Sequence, residues 1–183
     1  AASESAPPRV EIHVRFSSLY RDNYAAVSRW VRTLGVPERE NDDVVQEVFL
    51  VVHRRLGQYS ERGSIRSWLF QIARRVCRDY RRGRNRARTR EERVDIPTAV
   101  PSVDDEVARR EAITLMQSLL QQLDENKRMV FVLTEVDGMP AADVAEALEI
   151  PISRVHSRLR QARANFERMV ARERARDRRK NER

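Results

Sequence analysis

Apolar side chains in the first half of the chain recur every three to four residues, the spacing of one face of an α-helix. Gly35 and Gly57 follow the first two apolar blocks, where glycine favours a helix C-terminus, and Ser64 precedes the third block as an N-cap candidate. The pattern therefore predicts three amphipathic helices, which are enough for a small bundle. The three blocks cover residues 16–34, 44–56 and 65–82.

The second half of the chain carries the same helical spacing in shorter blocks. One block begins near Glu106, and another follows Asp124, a suitable N-cap, and stops at Asp137-Gly138. Between Pro140 and Val170 a short patterned segment breaks at residues 149–151, and a longer one follows. Two helices of unequal length joined by so tight a break predict a helix-turn-helix, whose second helix enters the major groove of DNA.

The second of these helices separates its side chains into two faces. Val155, Leu159 and Ala162 share the face that we expect to be buried. The opposite face offers small side chains and hydrogen-bond donors that can reach base edges and phosphates. Its members are Ser153, Ser157, Arg160 and Gln161, with Arg154 and His156 on the shoulders. A helical hairpin with a solvated basic face is the alternative interpretation of this pattern.

Together these patterns predict an all-α protein of two small helical domains joined by a linker. We expect a bundle of three to four helices first, and then a four-helix domain that contains the helix-turn-helix. The residues between them are rich in arginine and then contain proline and valine without a sustained period. The expected boundaries are a disordered tail at 1–12, a domain at 13–84, a linker at 85–105, a domain at 106–172 and a basic tail at 173–183.

Composition narrows the choice of partner. The 183 residues include 36 Lys and Arg against 28 Asp and Glu, which gives a net charge of +8. Most of the basic side chains are arginines, so we expect nucleic acid, rather than a membrane surface, as the partner. No stretch has the length of a transmembrane helix and the first residues lack a signal peptide's apolar core, which predicts a soluble cytoplasmic protein.

Catalytic chemistry finds no support in the sequence. Cys77 is the single cysteine, so no disulfide framework and no cysteine-based metal cluster is expected. His13, His53 and His156 are scattered and make no metal-ligand spacing with that cysteine. There is no glycine-rich phosphate loop and no nucleophile motif. We therefore predict a protein that is not an enzyme and that uses no metal and no cofactor.

Three sequence blocks carry a resemblance to a known family. They read DDVVQEVFL at 42–50, SWLFQIAR at 67–74, and VAEAL at 144–148 followed by VHSRLRQAR at 155–163. In this order the chain closely resembles the extracytoplasmic-function (ECF, group IV) sigma factors of the sigma-70 family. The resemblance covers most of residues 16–170 and implies a bacterial RNA polymerase sigma factor that recognises −10 and −35 promoter elements.

The resemblance also implies a surface for core RNA polymerase, on its β′ clamp, with the β flap as a further contact. The residues that it assigns to core binding are Asp43, Gln46, Glu47 and Phe49. The exposed carboxylates would suit a cationic coiled coil, but they would also favour the positive end of the helix dipole without any partner. On residue chemistry alone both interpretations stay open.

The resemblance places −10 recognition and promoter melting on the loop before residue 65 and on the helix after it. The candidates are Tyr59, Arg62, Ser64, Arg66, Arg74, Arg75 and Arg78. An aromatic wall can stack on an unpaired base, which contributes about 1–3 kcal/mol per base, and arginines can follow phosphates. We expect Trp68, at a buried phase of the helix, to belong to the core rather than to contact a base.

The −35 candidates are the outward residues of the helix-turn-helix, from Ala141 to Arg160 and the following turn. The sequence departs from the family pattern where Arg75 replaces an asparagine, Glu149 a glycine, His156 a lysine and Gln161 an arginine. Glutamine matches adenine better than guanine, so we expect an unusual −35 element. The full set assigned to −35 recognition is Ser153, Arg154, His156, Ser157, Arg160 and Gln161.

The sequence is compatible with two other functions. A free-standing helix-turn-helix regulator would bind duplex operators as a homodimer without polymerase. A helical RNA-binding or adaptor protein would make the helix-turn-helix incidental. An anti-sigma factor, which the family commonly has, is a further candidate partner that no residue of the sequence requires.

Overall fold

The computed structural model describes residues 9–59, 63–88 and 114–181, and these are helical with no strand among them. This confirms the all-α class. No helix within these ranges is both long enough and apolar enough to cross a membrane. The helices are α1 (Arg9–Thr33), α2 (Glu38–Arg55), α3 (Ile65–Arg88), α4 (114–121), α5 (Glu125–Phe131), α6 (Ala141–Leu148) and α7 (Ile152–Asn181).

The N-terminal unit, α1 to α3, forms where the apolar blocks predict helices. Gly35 ends α1 with a φ of 87°, a conformation that costs glycine little. Pro37 then stands at the N-cap of α2. Val27 and Trp30 of α1 pack with Val48 of α2 in a core that excludes solvent. The buried apolar area of these side chains is what holds the three helices together.

Caps and turns separate the helices of the C-terminal unit, α4 to α7. The Asp124 carboxylate accepts the backbone N–H groups of Asn126 and Lys127, as an N-cap does, and so begins α5. The chain then makes a π-helical turn over Val132–Val136. Gly138 takes a φ of 66° and redirects the chain into α6.

One apolar core serves both units. Helix α3 is central, because it packs on α1 and α2 and also on α6. The rings of Trp30 and Phe70 meet edge to face with centroids 5.4 Å apart, and both side chains are fully buried. Met129 and Val144 of the C-terminal unit join the same buried cluster.

Three helix ends lie outside the predicted domain boundaries. Helix α1 begins at Arg9, inside the expected tail, and α3 runs to Arg88, past the expected end at residue 84. Helix α7 continues to Asn181 and takes in most of the expected C-terminal tail. Arginine, alanine and glutamate are good helix formers, so such stretches extend a helix without needing a buried face. The remainder of the expected linker, 89–105, lies outside the described residues.

Candidate nucleic-acid interface

The helix-turn-helix is built by α6 and α7. Val144 and Ala147 of α6 are fully buried, and so are Val155 and Ala162 of α7. Leu159 lies on the same side of α7, nearly buried. These contacts fix the rotation of α7 and confirm the predicted apolar face.

The opposite face of α7 is open to solvent. Ser157 is half-buried, and the other five residues predicted for −35 contact are exposed: Ser153, Arg154, His156, Arg160 and Gln161. The structure adds Ile152, the first residue of α7, whose surface is 48% exposed. The sequence pattern did not single it out, because an isoleucine next to a proline gives no polar signal.

The turn between α6 and α7 is made without glycine. Glu149 adopts a left-handed conformation with φ 56° and ψ 44°. The Glu149 N–H donates to the carbonyl of Glu146, and the Ile150 N–H donates to that of Ala145. These bonds satisfy carbonyls at the end of α6, as in a Schellman motif with a glutamate in place of the usual glycine.

Helix α3 gathers the predicted −10 arginines around a shallow cavity of about 280 Å³. Arg74, Arg75 and Arg78 line it and are exposed. Sequence reasoning missed two further contributors, Arg55 at the end of α2 and Gln71 of α3. The signal of Arg55 was weak, because cationic side chains at helix C-termini are common.

An aromatic pair stands beside these arginines. The rings of Tyr59 and Trp68 have centroids 4.8 Å apart and are inclined by 42°. The Tyr59 hydroxyl donates to the carbonyl of Gly63 over 2.6 Å, which fixes the end of the loop. Trp68 packs against the core, as its phase predicts, but it is only half-buried and also lines the arginine cavity.

The remaining −10 candidates have other positions. Ser64 accepts the Ser67 N–H over 3.5 Å at the start of α3, in keeping with the predicted cap. Arg66 is partly buried, and its Nη1 donates to the Asp137 carbonyl over 2.7 Å. The Arg66 guanidinium therefore contacts the C-terminal unit, and its assignment to −10 DNA stays a prediction. Arg62 lies outside the described residues.

Three of the four core-binding candidates share an exposed face of α2. Asp43, Gln46 and Glu47 are exposed, and the two carboxylates border a groove of about 510 Å³ between α2 and α3. The floor of the groove is apolar and includes Val51 and Val76. The groove therefore combines an apolar base with a charged rim, in which Arg55 and Arg75 accompany the carboxylates.

Phe49 does not belong to that face, which corrects its assignment to core binding. Only 3% of its surface is exposed. Its ring lies 4.6 Å from that of Tyr20 and also contacts those of Phe16 and Tyr24, between α1 and α2. Leu50, half exposed, is the apolar side chain of this part of α2 that reaches solvent.

Glu40 and Cys77 are among the ionisable groups of the N-terminal unit whose pKa values are shifted. The hydrogen bond from the Tyr80 hydroxyl, chiefly, lowers the pKa of Glu40, to which Arg39 and Arg84 also lie close. Burial raises the pKa of the Cys77 thiol to about 12, so this cysteine is chemically inert. Within the described ranges no three His, Cys, Asp or Glu side chains cluster as metal ligands would.

Two family profiles match the chain in the order of its two units. The profile described as Sigma-70 region 2 matches residues 19–87. The profile described as Sigma-70, region 4 matches residues 110–166. Together the two matches take in α3 and its arginines as well as the helix-turn-helix.

Curated relatives and solved structures agree with these matches. The RNA polymerase sigma factor NccH of Alcaligenes xylosoxydans is 31% identical over 157 residues, covering 82% of this chain and 84% of the relative. The ECF sigma factor SigM of Mycobacterium tuberculosis is 29% identical, covering 85% and 76%.

Among solved structures, CnrH in complex with the cytosolic domain of CnrY aligns with a TM-score of 0.62 at 29% identity, covering 85% of this chain and 87% of CnrH. The sigma factor RpoE in complex with the anti-sigma factor NepR, from Bartonella quintana, aligns at 0.65 with 19% identity, covering 86% and 97%, and so supports the fold alone.

Proposed function

The chain belongs to the sigma-70 family, in its ECF group, and we propose how its parts divide the work of an RNA polymerase sigma factor. Helix α7 would read the −35 element as duplex DNA. Helix α3 and the loop before it would capture and open the −10 element. Helix α2 would bind core polymerase. The observation that carries the proposal is the exposed polar face of α7 in a chain whose front half matches Sigma-70 region 2.

The −35 role rests on the N-terminal half of α7. Residues at the start of a recognition helix contact base edges in the major groove. Arg154 and Arg160 supply donors, and Gln161 can form a bidentate pair with adenine. Ile152 adds an apolar side chain at the helix start, which suits the methyl group of thymine. This set supports a −35 element that contains A·T pairs.

The −10 role rests on the arginine cavity and the aromatic pair. Arg74, Arg75 and Arg78 would follow the phosphates of the unpaired strand. Trp68 and Tyr59 offer ring faces beside them, on which a base can stack. Stacking and charge together would offset the cost of unpairing.

The polymerase-binding role rests on α2. Asp43, Gln46 and Glu47 present an acidic and amide-bearing face on an otherwise basic chain. Charge complementarity speeds association with a cationic coiled coil such as that expected in the β′ clamp. The β flap is proposed as a second contact, on the C-terminal unit. Leu50, beside the acidic face, would add apolar contact.

Other parts of the proposal follow from this role. Polymerase would supply the catalysis, so the chain itself would not be an enzyme, and bacterial transcription would place it in the cytoplasm. CnrH, at 29% identity, is bound to the cytosolic domain of CnrY, and we propose that this chain too has a protein partner, such as an anti-sigma factor. Each DNA contact would be weak and salt-dependent alone, and polymerase would join the two through effective concentration.

The test combines the purified chain with sigma-free bacterial core polymerase and fragmented genomic DNA, and sequences the 5′ ends of the transcripts. We expect transcripts that start downstream of a shared pair of elements, and their loss when Arg154 and Arg160 are both replaced by alanine. Replacing Arg172 and Arg174, exposed on the distal part of α7, provides the charge-matched control. Specific duplex binding by a homodimer with no transcripts would establish the regulator instead, and RNA binding with no transcripts would establish the adaptor.

A further inference from the structure

The arginine cavity beside α3 holds positive charge that the fold leaves uncompensated. Within the described parts of the chain, no hydrogen bond or ion pair engages the guanidinium groups of Arg55, Arg75 and Arg78. The fourth arginine, Arg74, lies 3.8 Å from Glu149, which is the one carboxylate among the described residues that line the cavity. Guanidinium groups that converge on one cavity repel each other until an anion joins them. The cavity is therefore an anion site by its charge.

The size of the cavity limits which anion can match that charge. Guanidinium groups bind phosphate especially well, because their planar fork meets two phosphate oxygens at once. A volume of about 280 Å³ has room for one nucleotide rather than for a stretch of strand. One nucleotide of a DNA strand carries a single phosphate charge, which is less than four arginines and one carboxylate leave to neutralise. A free nucleoside diphosphate or triphosphate brings several adjacent charges and matches the cavity better.

The same cavity offers a place for a purine base. Trp68 lines it with a half-buried indole, whose ring lies 4.8 Å from that of Tyr59, and nucleobases stack on such rings. Gln71 also lines the cavity, and one of its amide hydrogens bonds to the Glu146 carbonyl over 3.1 Å, which orients the amide group. The second amide hydrogen and the amide oxygen of Gln71 can pair with N7 and the amino group of adenine.

We infer that the cavity binds a free adenine nucleotide, with its base on Trp68 and its diphosphate or triphosphate among the arginines. A bound nucleotide excludes unpaired DNA from Arg74 and Arg78, a consequence that rests on the −10 role proposed above. A melted strand that polymerase holds at high effective concentration displaces the nucleotide, whereas a stray single strand does not. Free nucleotide thereby reserves the cavity for promoter DNA.

The first test removes one arginine of the cavity. Titration of the isotope-labelled full chain with ATP, followed by nuclear magnetic resonance, should give a dissociation constant of roughly 0.1–1 mM, as for a partly open site. Arg78 is suitable because, unlike Arg55 and Arg75, it does not also border the groove between α2 and α3. We expect Arg78→Ala to weaken ATP binding about tenfold, the loss for one charge-assisted contact to phosphate.

Arg172→Ala is the charge-matched control for that variant. Arg172 is exposed on the distal part of α7 and does not line the cavity. We expect it to change ATP affinity less than about twofold, since only the net charge of the chain differs. Equal losses in Arg78→Ala and Arg172→Ala would overturn the site, because ATP would then follow net charge alone.

A second variant should strengthen binding, which a loss of folding cannot do. Glu149→Gln removes the carboxylate from the cavity and keeps the size of the side chain. We expect roughly threefold tighter ATP binding, because no negative charge beside Arg74 then opposes the phosphates. Glu38→Gln is the control, since its carboxylate is 75% exposed against 74% for Glu149 and pairs with Arg32 on α1. No gain in Glu149→Gln over Glu38→Gln would contradict the position given to the phosphates.

A ligand series separates a nucleotide site from a site for any phosphate. Inorganic tripolyphosphate lacks the base, and inosine triphosphate lacks the amino group that pairs with Gln71. We expect tripolyphosphate to bind at least about fivefold more weakly than ATP, and inosine triphosphate roughly threefold more weakly. ATP should also quench tryptophan fluorescence in the natural chain but not in Trp68→Phe, whose remaining Trp30 is fully buried. Equal affinity for tripolyphosphate and ATP would refute the nucleotide site and leave an adventitious anion only.

Competition distinguishes this inference from the proposed function. If ATP binds at the cavity and displaces a fluorescein-labelled pool of random single strands, the nucleotide site and the −10 role of the cavity both stand. If ATP binds there without displacing the strands, the nucleotide site stands and the −10 role of the cavity fails. If ATP does not bind while the chain and core polymerase still give promoter-directed transcripts, the nucleotide site fails and the sigma-factor role stands.

Discussion

The indole N–H of Trp30 donates to the Asp137 carboxylate over 2.7 Å, joining α1 to the turn before α6 in a site closed to solvent. A buried carboxylate that loses one of its donors keeps its desolvation cost without compensation. Trp30→Phe preserves an aromatic ring but removes the donor, and we expect it to lower the free energy of unfolding by about 1–3 kcal/mol. Urea unfolding followed by circular dichroism measures this. Trp68→Phe, at a half-buried ring, should cost less, and an equal loss would contradict the role of the bond.

The left-handed turn at Glu149 predicts a stabilising substitution. A residue with a side chain loses about 1–2 kcal/mol in the left-handed conformation that Glu149 adopts. Glycine avoids this steric cost, but it loses more conformational entropy on folding, so only part of the cost is recovered. We expect Glu149→Gly to raise the free energy of unfolding by about 0.5–1 kcal/mol. Its distant ion pair with Arg74 is exposed and adds little. Glu146→Gly, which removes the same charge within α6, should destabilise by about 1 kcal/mol. If both variants changed the free energy of unfolding in the same direction, the left-handed conformation of Glu149 would not explain the effect.

The proposed contact between Ile152 and a thymine methyl predicts a position-specific loss of affinity for a −35 duplex. Replacing one thymine at a time by deoxyuridine removes only that methyl. At one position we expect the natural chain to lose roughly fourfold in affinity, the equivalent of about 0.8 kcal/mol for one buried carbon. The Ile152→Ala variant should show no loss of affinity when the thymine at that position is replaced by deoxyuridine. Fluorescence anisotropy measures both, and equal losses for both proteins at every thymine would assign the methyl to another residue.

The bond between Tyr80 and Glu40 predicts a pH-dependent contribution to stability. Glu40 has a pKa lowered from 4.5, chiefly by this bond, so its contribution is present above that value and is lost as pH falls through the lowered pKa. Near about pH 7 we expect Tyr80→Phe to cost about 1.5–3 kcal/mol, as for a bond to a charged group. The difference in the free energy of unfolding between Tyr80→Phe and the natural chain should narrow as pH falls below 4.5. Tyr20→Phe, at a partly exposed ring, is the control. A stability difference between Tyr80→Phe and the natural chain that grows in acid would contradict the prediction.

The buried thiol of Cys77 predicts resistance to alkylation. Burial raises its pKa to about 12, so near about pH 8 roughly one thiol in ten thousand is ionised. We expect iodoacetamide to leave the folded chain unlabelled by mass spectrometry, and to label it readily in concentrated guanidinium chloride. Labelling of the folded chain at the unfolded rate would show that α3 is not packed as described.

Local periodicity predicted the elements of the fold well. The apolar phase of α7, with Val155 and Ala162 buried, followed from spacing alone, and so did the cap at Asp124. These features depend on residues close in sequence, whose geometry a helix fixes. The exposed face of α7 that we propose for −35 contact follows directly from the same phase, because whatever is not buried on a surface helix is open to solvent.

The sequence could not predict which helix faces meet across the two units. Helix α3 is buried on two sides, so Phe70 and Arg66 contact the C-terminal unit although a single apolar stripe would have turned them outward. Phe49 shows the reverse case, since a residue that the resemblance assigned to core binding packs inside an aromatic cluster. Periodicity indicates that a face is covered, and only the tertiary arrangement shows by what.

The position of Asp137 depends on how many residues precede it. The π turn at Val132–Val136 holds one residue more than an α-helical turn, and the Asp137 N–H reaches back five residues to the carbonyl of Val132. One residue corresponds to about 100° of helix rotation. Deleting Thr134 would thus preserve every charged group in the chain and still turn the carboxylate away from Arg29 and Trp30, which both donate hydrogen bonds to it. The contact between the two units therefore depends on the number of residues in this turn as much as on the chemistry of their side chains.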